Sequence, residues 1–232
     1  HYAAWLARRW DDPAFPRRSP RLSNASMSAG EPTSRITRSR SPAPGGGSVA
    51  AAAGSLGAAL GAMVCRLTAG KKKYKDVEEQ MRSAEKALLP LRDRMRDLID
   101  EDTIAFDAVM AAFDLPKETP AEQASRQAAI DEASRGAAET PLEVMRRAVE
   151  AARLVIPVAQ KGNVNSISDA GVAGLCLETA FGGALLNVRI NIADLPASEW
   201  KERVVAEVQS LEAEFSPVAQ AIRDAVDERM GA

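Results

Sequence analysis

Histidine is almost absent from this 232-residue chain: the single one is residue 1. Cysteine is nearly as scarce, with only Cys65 and Cys176, and aromatic residues make up 4%. These shortages exclude a good deal of chemistry. Zinc and iron sites usually draw on several His and Cys ligands, and Ser-His-Asp or Cys-His catalysis needs an internal histidine. An enzyme built from this chain has to move protons through carboxylates, lysines or bound water, or leave much of the chemistry to its substrate. Two cysteines far apart in sequence read as reduced core residues, which fits a cytoplasmic location.

Net charge is scarce too, at −2, so composition makes no general case for nucleic-acid binding. That total hides an asymmetry. Residues 1–41 hold eight arginines against Asp11, Asp12 and Glu31, whereas residues 42–232 hold 22 basic and 29 acidic side chains. Residues 1–40 are rich in Arg, Ser and Pro, lack a sustained apolar period, and read as a disordered basic leader. Their composition resembles a transit peptide; the plainer reading is that His1 lies upstream of the true start and Met27 begins the working protein. Residues 41–232 form the second unit.

What this second unit has in abundance is helical pattern. Residues 47–69 are an apolar run dominated by Ala and Gly, about long enough for a membrane span. Ala and Gly contribute little transfer energy, however, so the run is expected to be a buried central helix and not a membrane segment. Gly57 and Gly61 make a small-xxx-small pair that could serve a subunit interface. A second helix is expected from about Asp76 to Leu115, kinked or divided at Pro90. Thr119-Pro120-Ala121-Glu122 supplies an N-cap, a first-turn proline and a first-turn acid for a third. That helix is expected to break at Thr140-Pro141, with another from Leu142 towards Gln160 ended by Gly162. Residues 168–186 and an amphipathic tail from Ala197 to Met230 complete the set. The fold class expected is all-α, a bundle of long, partly Pro-kinked helices around a small-residue central helix.

Four polar islands interrupt this pattern. Gly45, Gly46, Gly47 and Ser48 open the central helix, where backbone N–H groups can converge on an anion, or simply form a flexible turn. Lys71 and Lys72 lie at its other end, either complementing the helix dipole or holding a polyanionic tail. Asp100-Glu101-Asp102 sits inside the long second helix, and spacing places Asp102 along the apolar face. Burial there would raise its pKa and suit it to proton transfer; a paired structural aspartate is the competing reading. The fourth island, residues 162–171, includes Asn163 and Asp169, and is followed by Asn187, Arg189 and Asn191. Asn163, Asn165, Ser166 and Ser168 exceed what one helix cap needs, which suggests a polar ligand, and the later amides and guanidinium add donors at alternate positions.

Together these segments resemble the cyclodeaminase/cyclohydrolase family of tetrahydrofolate enzymes. PAPGGGS, LTAGKKKY, DTIAF leading to LPKET, GNVNSISDAG and LNVRIN occur in unbroken order across about residues 41–230. Where the family usually has a short amphipathic helix before PAPGGGS, Thr33–Ser41 is largely polar. The resemblance implies an all-helical homodimer acting on the one-carbon bridge between N5 and N10 of tetrahydrofolate. It implies no metal and no cofactor, the tetrahydrofolate derivative being the substrate. Asp102 matches the family's catalytic carboxylate. Gly45, Gly46, Gly47 and Ser48 would approach the ligand backbone-first, and Lys71, Lys72 and Arg189 are candidates for a polyglutamylated tail. Asn163, Asp169, Asn187 and Asn191 are candidates for the pterin. Hydrolysis of 5,10-methenyltetrahydrofolate is the expected activity, because no formiminotransferase segment fits within these residues. Cyclodeamination and a non-catalytic folate-binding role are the alternatives.

Overall fold

The computed structural model describes residues 45–231, so the expected leader lies outside the described residues. Among the described residues five helices make the bundle: α1 (Gly46–Thr68), α2 (Glu78–Phe113), α3 (Pro120–Lys161), α4 (Ile167–Ala193) and α5 (Glu199–Met230). Short 3-10 turns, Lys72–Val77 and Val164–Ser166, lead into α2 and α4, and among the described residues there is no strand. The all-α expectation holds.

α1 is the central helix because small residues let its neighbours close in. A Cβ on Gly57 would lie 2.9 Å from the Ala173 carbonyl oxygen, so α1 and α4 meet there backbone to backbone. Gly61 packs on Val155 of α3 and Leu88 of α2. The Gly57/Gly61 pair is therefore spent inside one chain, not at a subunit interface as its spacing had allowed. Large side chains fill the surrounding layers: Met81, Leu88, Met95 and Leu98 from α2, Leu142 and Met145 from α3, and Leu177 from α4. Phe181 stacks on Phe215 at 4.2 Å and ties α5 to α4.

The break expected at Thr140-Pro141 does not occur, and Pro90 does not divide α2. α2 runs through Pro90, and α3 runs through Pro141 and Pro157 as one helix of 42 residues. Pro141 has no N–H to give the Ala137 carbonyl four residues earlier. That carbonyl instead accepts a hydrogen bond from Asn191 Nδ2 at 2.8 Å. A side chain from α4 thus fills the gap that Pro141 leaves.

Helix ends are closed as the local sequence dictates, often by side chains from elsewhere. Thr119 and Glu122 form a reciprocal capping box at the start of α3. Arg126 donates to the Phe113 carbonyl at the end of α2, and Arg229 to the Ala159 and Gly162 carbonyls at the end of α3. Lys201 does the same for Ala193 and Leu195 after α4. Gly162 is needed for close approach: a Cβ there would lie 2.5 Å from the Val158 carbonyl oxygen.

Candidate active site

α1 begins without a cap of its own. Its N-cap is Gly45, which has no side chain to offer, and its first turn holds no acid. The free N–H groups and positive dipole end attract an anion, and the chain supplies one from α2. Asp102 reaches this helix end. Its Oδ2 accepts a 2.7 Å hydrogen bond from the Ser48 hydroxyl, and its carboxylate is also bonded by the Ser48 backbone N–H. The Ser48 hydroxyl also lies 3.3 Å from the Ile99 carbonyl, one turn earlier on α2. A Cβ on Gly47 would stand 2.2 Å from Asp102 Oδ1, so the carboxylate occupies the space that the missing side chain leaves.

Two influences compete at this carboxylate. Burial raises its pKa above the ordinary value of 3.8, while the Ser48 hydroxyl and N–H both favour the anion and pull it back. Burial prevails, and the group is nonetheless only half-buried. Its neighbours in sequence are different: Asp100 is exposed, and Glu101 is held by Arg94, which also bridges to Glu143 at 2.7 Å. Asp102 combines partial burial, a raised pKa and access to solvent.

Asn187 joins this end of the bundle. Its Nδ2 donates to the Gly183 carbonyl at 2.8 Å and lies 3.2 Å from where a Gly46 Cβ would be. The structure therefore brings together Gly45, Gly46, Gly47, Ser48, Asp102 and Asn187. The other expected ligands are placed elsewhere. Arg189 forms a 3.0 Å ion pair with Glu212 of α5. Asn191 is engaged with the Ala137 carbonyl and lines a cavity of about 60 Å³ beside Val109, Phe113 and Ile130.

Lys71, Lys72, Asn163 and Asp169 lie at the opposite end of α1. A helix of 23 residues separates the two ends by about 33 Å. Asn163 is buried there as a joint: its N–H donates to Thr68 Oγ1 at 2.8 Å, and its Nδ2 to the Leu67 carbonyl at 3.3 Å. Tyr74 braces the same joint by accepting from the Val164 N–H. Lys71 and Lys72 are exposed and Asp169 half-buried, and among the described residues none of the three side chains has a hydrogen bond or ion pair.

The sequence expectation put Ser48 against a ligand or in a flexible turn and did not include its bond to Asp102. The two lie 54 positions apart, so no local spacing could join them. It also missed an exposed apolar stripe on α1 and α4, because a run that is apolar on every side gives no sign of which side is left uncovered.

The formiminotransferase-cyclodeaminase family model matches residues 33–210. The chain is 42% identical over 192 residues to the methenyltetrahydrofolate cyclohydrolase of Methylorubrum extorquens, a match spanning 83% of this chain and 92% of the relative. It is 36% identical over 195 residues to the formimidoyltransferase-cyclodeaminase of Rattus norvegicus, where the match spans 84% of this chain but 36% of that longer protein. The crystal structure of formiminotetrahydrofolate cyclodeaminase from Thermotoga maritima superposes with a TM-score of 0.73 at 29% identity, over 82% of this chain and 91% of that one. By the extent of the family match and the identity to these relatives, the chain belongs to the formiminotransferase-cyclodeaminase family.

Proposed function

We propose that this protein hydrolyses 5,10-methenyltetrahydrofolate to 10-formyltetrahydrofolate, with Asp102 as the proton carrier. The observation that carries the reading is the Asp102 carboxylate, raised in pKa by burial yet half-open, at the positive end of α1. The methenyl carbon is an amidinium and is already electrophilic. Asp102 takes a proton from water as the oxygen bonds to that carbon, giving a tetrahedral adduct. The bond from the carbon to N5 then breaks as a proton reaches N5, leaving the formyl group on N10. One proton is released overall, and positioning with one carboxylate suffices.

The near-complete match to a stand-alone cyclohydrolase supports this activity. Cyclodeamination is the second reading, supported by the Thermotoga structure, which also aligns over most of its length. There N10 attacks a 5-formimino carbon and ammonia departs, through the same kind of tetrahedral carbon. The reading includes no metal and no cofactor, a cytoplasmic location, a homodimer, and neither a nucleic-acid nor a membrane partner. Lys71 and Lys72 are left as the receptors for a polyglutamylated tail, since Arg189 is occupied by Glu212. Two assays decide: decay of the methenyl chromophore, and ammonia release from 5-formiminotetrahydrofolate. Chromophore decay faster than the buffer rate is expected; ammonia release alone would assign the second activity, and neither would refute both.

A further inference from the structure

α1 stops before its neighbours do. Gly47 meets Asp102 of α2 and Gly46 meets Asn187 of α4, yet α2 runs on to Phe113 and α4 to Ala193. In that further stretch α2 and α4 line, together with α3, the cavity of about 60 Å³, and no α1 residue is among its walls. The walls continue the faces that carry the candidate site. On α2, Val109 and Phe113 follow Asp102 by seven and eleven positions, which keeps all three on one side of the helix. On α4, Asn191 follows Asn187 by four.

The lining has a definite chemistry. Val109, Phe113, Ile130 and Leu195 are buried and make its walls apolar. Its polar groups from α3 and α4 offer mostly hydrogen-bond acceptors. Asp131 accepts from Gln127 Nε2 on Oδ1 at 2.8 Å, and its Oδ2 has no partner among the described residues. Asn191 has committed its Nδ2 to the Ala137 carbonyl, which leaves its Oδ1, and Ser134 adds a hydroxyl. Asp194 brings a second carboxylate to the lining, and among the described residues no lysine or arginine reaches it. Apolar walls with acceptors and no cation select a flat ring that carries N–H groups along one edge, and they reject an anion.

Size and reach narrow the occupant. The cavity holds roughly four to six waters, or one six-membered ring with two small substituents. In a methenylfolate the reacting carbon lies about 6 Å from the amino nitrogen on the far side of the pterin. A hydrogen bond of about 3 Å at each end extends that to about 12 Å. Asp102 and Val109 are about 10 Å apart along α2, so one folate can reach both places.

We infer that this cavity receives the pyrimidine half of the pterin, with the Asp131 carboxylate accepting from its amino group and the adjacent ring N–H. The inference rests on the folate reading above, and it makes Asp131 a specificity residue for the same reaction. Asp102 then works on the one-carbon bridge from the start of α1, while Asp131 fixes which way round the ring lies.

Kinetics on the full-length protein test this, using whichever of the two folates the wild type turns over and the analogue with hydrogen in place of the pterin amino group. Asp131→Ala keeps a good helix former on α3. Its kcat/KM should fall about 10- to 10²-fold, mainly through KM, the scale of a hydrogen bond to a charged group. The wild type should lose a similar factor on the analogue, and Asp131→Ala little more, because the partner is already gone. Equal discrimination against the analogue by both proteins would overturn the contact, however weak the variant. Ser134→Phe, which fills the cavity, should keep its helical circular dichroism and raise KM at least about tenfold. A near-wild-type KM in that variant would also overturn the inference and leave the folate reading standing. A wild type inactive on both folates would remove that reading and the subsite with it.

Discussion

Asp102 is a costly residue where it sits. Its folded-state pKa is raised, so between the ordinary value of 3.8 and the folded value the native protein binds more protons than the unfolded chain. Its contribution to stability therefore falls as pH rises through that window and is unfavourable at neutral pH. Asp102→Asn should leave the melting temperature at pH 7 equal or higher; a clear drop would show the carboxylate to be structural. Ser48 acts in the opposite direction. Its hydroxyl favours the anion, so Ser48→Ala should move the acid limb of the kcat profile to higher pH, while the plateau rate falls less than in Asp102→Asn. An unmoved limb would mean that the hydroxyl does not tune the carboxylate. The sequence placed Asp102 on the apolar face correctly by spacing alone. It could not show the Ser48 bond, which depends on how two helices dock.

The elements show where periodicity succeeds and where it fails. The capping box at Thr119 and the end of α3 at Gly162 were legible because every group involved is local. The partner of the Ala137 carbonyl was not, because it is Asn191, far along the chain on α4. The same contact gives Asn191, which the resemblance puts forward for the pterin, a structural partner within the bundle. Asn191→Leu should orphan a buried carbonyl and cost roughly 1–3 kcal/mol in urea unfolding, the usual desolvation penalty for one unsatisfied group. An unaltered urea midpoint would show that water or another donor already serves Ala137.

At the scale of the whole molecule, helices that were read one by one combine into a bundle packed around α1. Ion pairs tie the outer helices: Arg94 bridges α2 to Glu143 on α3, and Arg146 on α3 holds Glu207 of α5 at 2.5 Å. Both glutamates are shifted below the usual carboxylate range, first by hydrogen bonds from their arginines. Their contribution is present above the ordinary value of 4.5 and is lost as pH falls through the lowered folded values. The melting temperature should therefore fall with acid over roughly pH 5 to 3. Glu143→Gln/Glu207→Gln should be less stable at pH 7 and lose less on acidification. An acid slope identical to the wild type would remove these pairs from the account.

The charge and histidine shortages also gain meaning at this scale. A protein without an internal histidine still has a group suited to moving protons, because the fold half-buries one carboxylate at a helix end. The most direct test is the initial rate of methenyl chromophore loss by the wild type and Asp102→Asn at equal concentration and matched circular dichroism. The account predicts a loss of at least about 10²-fold in the variant, the scale of general acid–base catalysis. A variant that turns over at near the wild-type rate would contradict it.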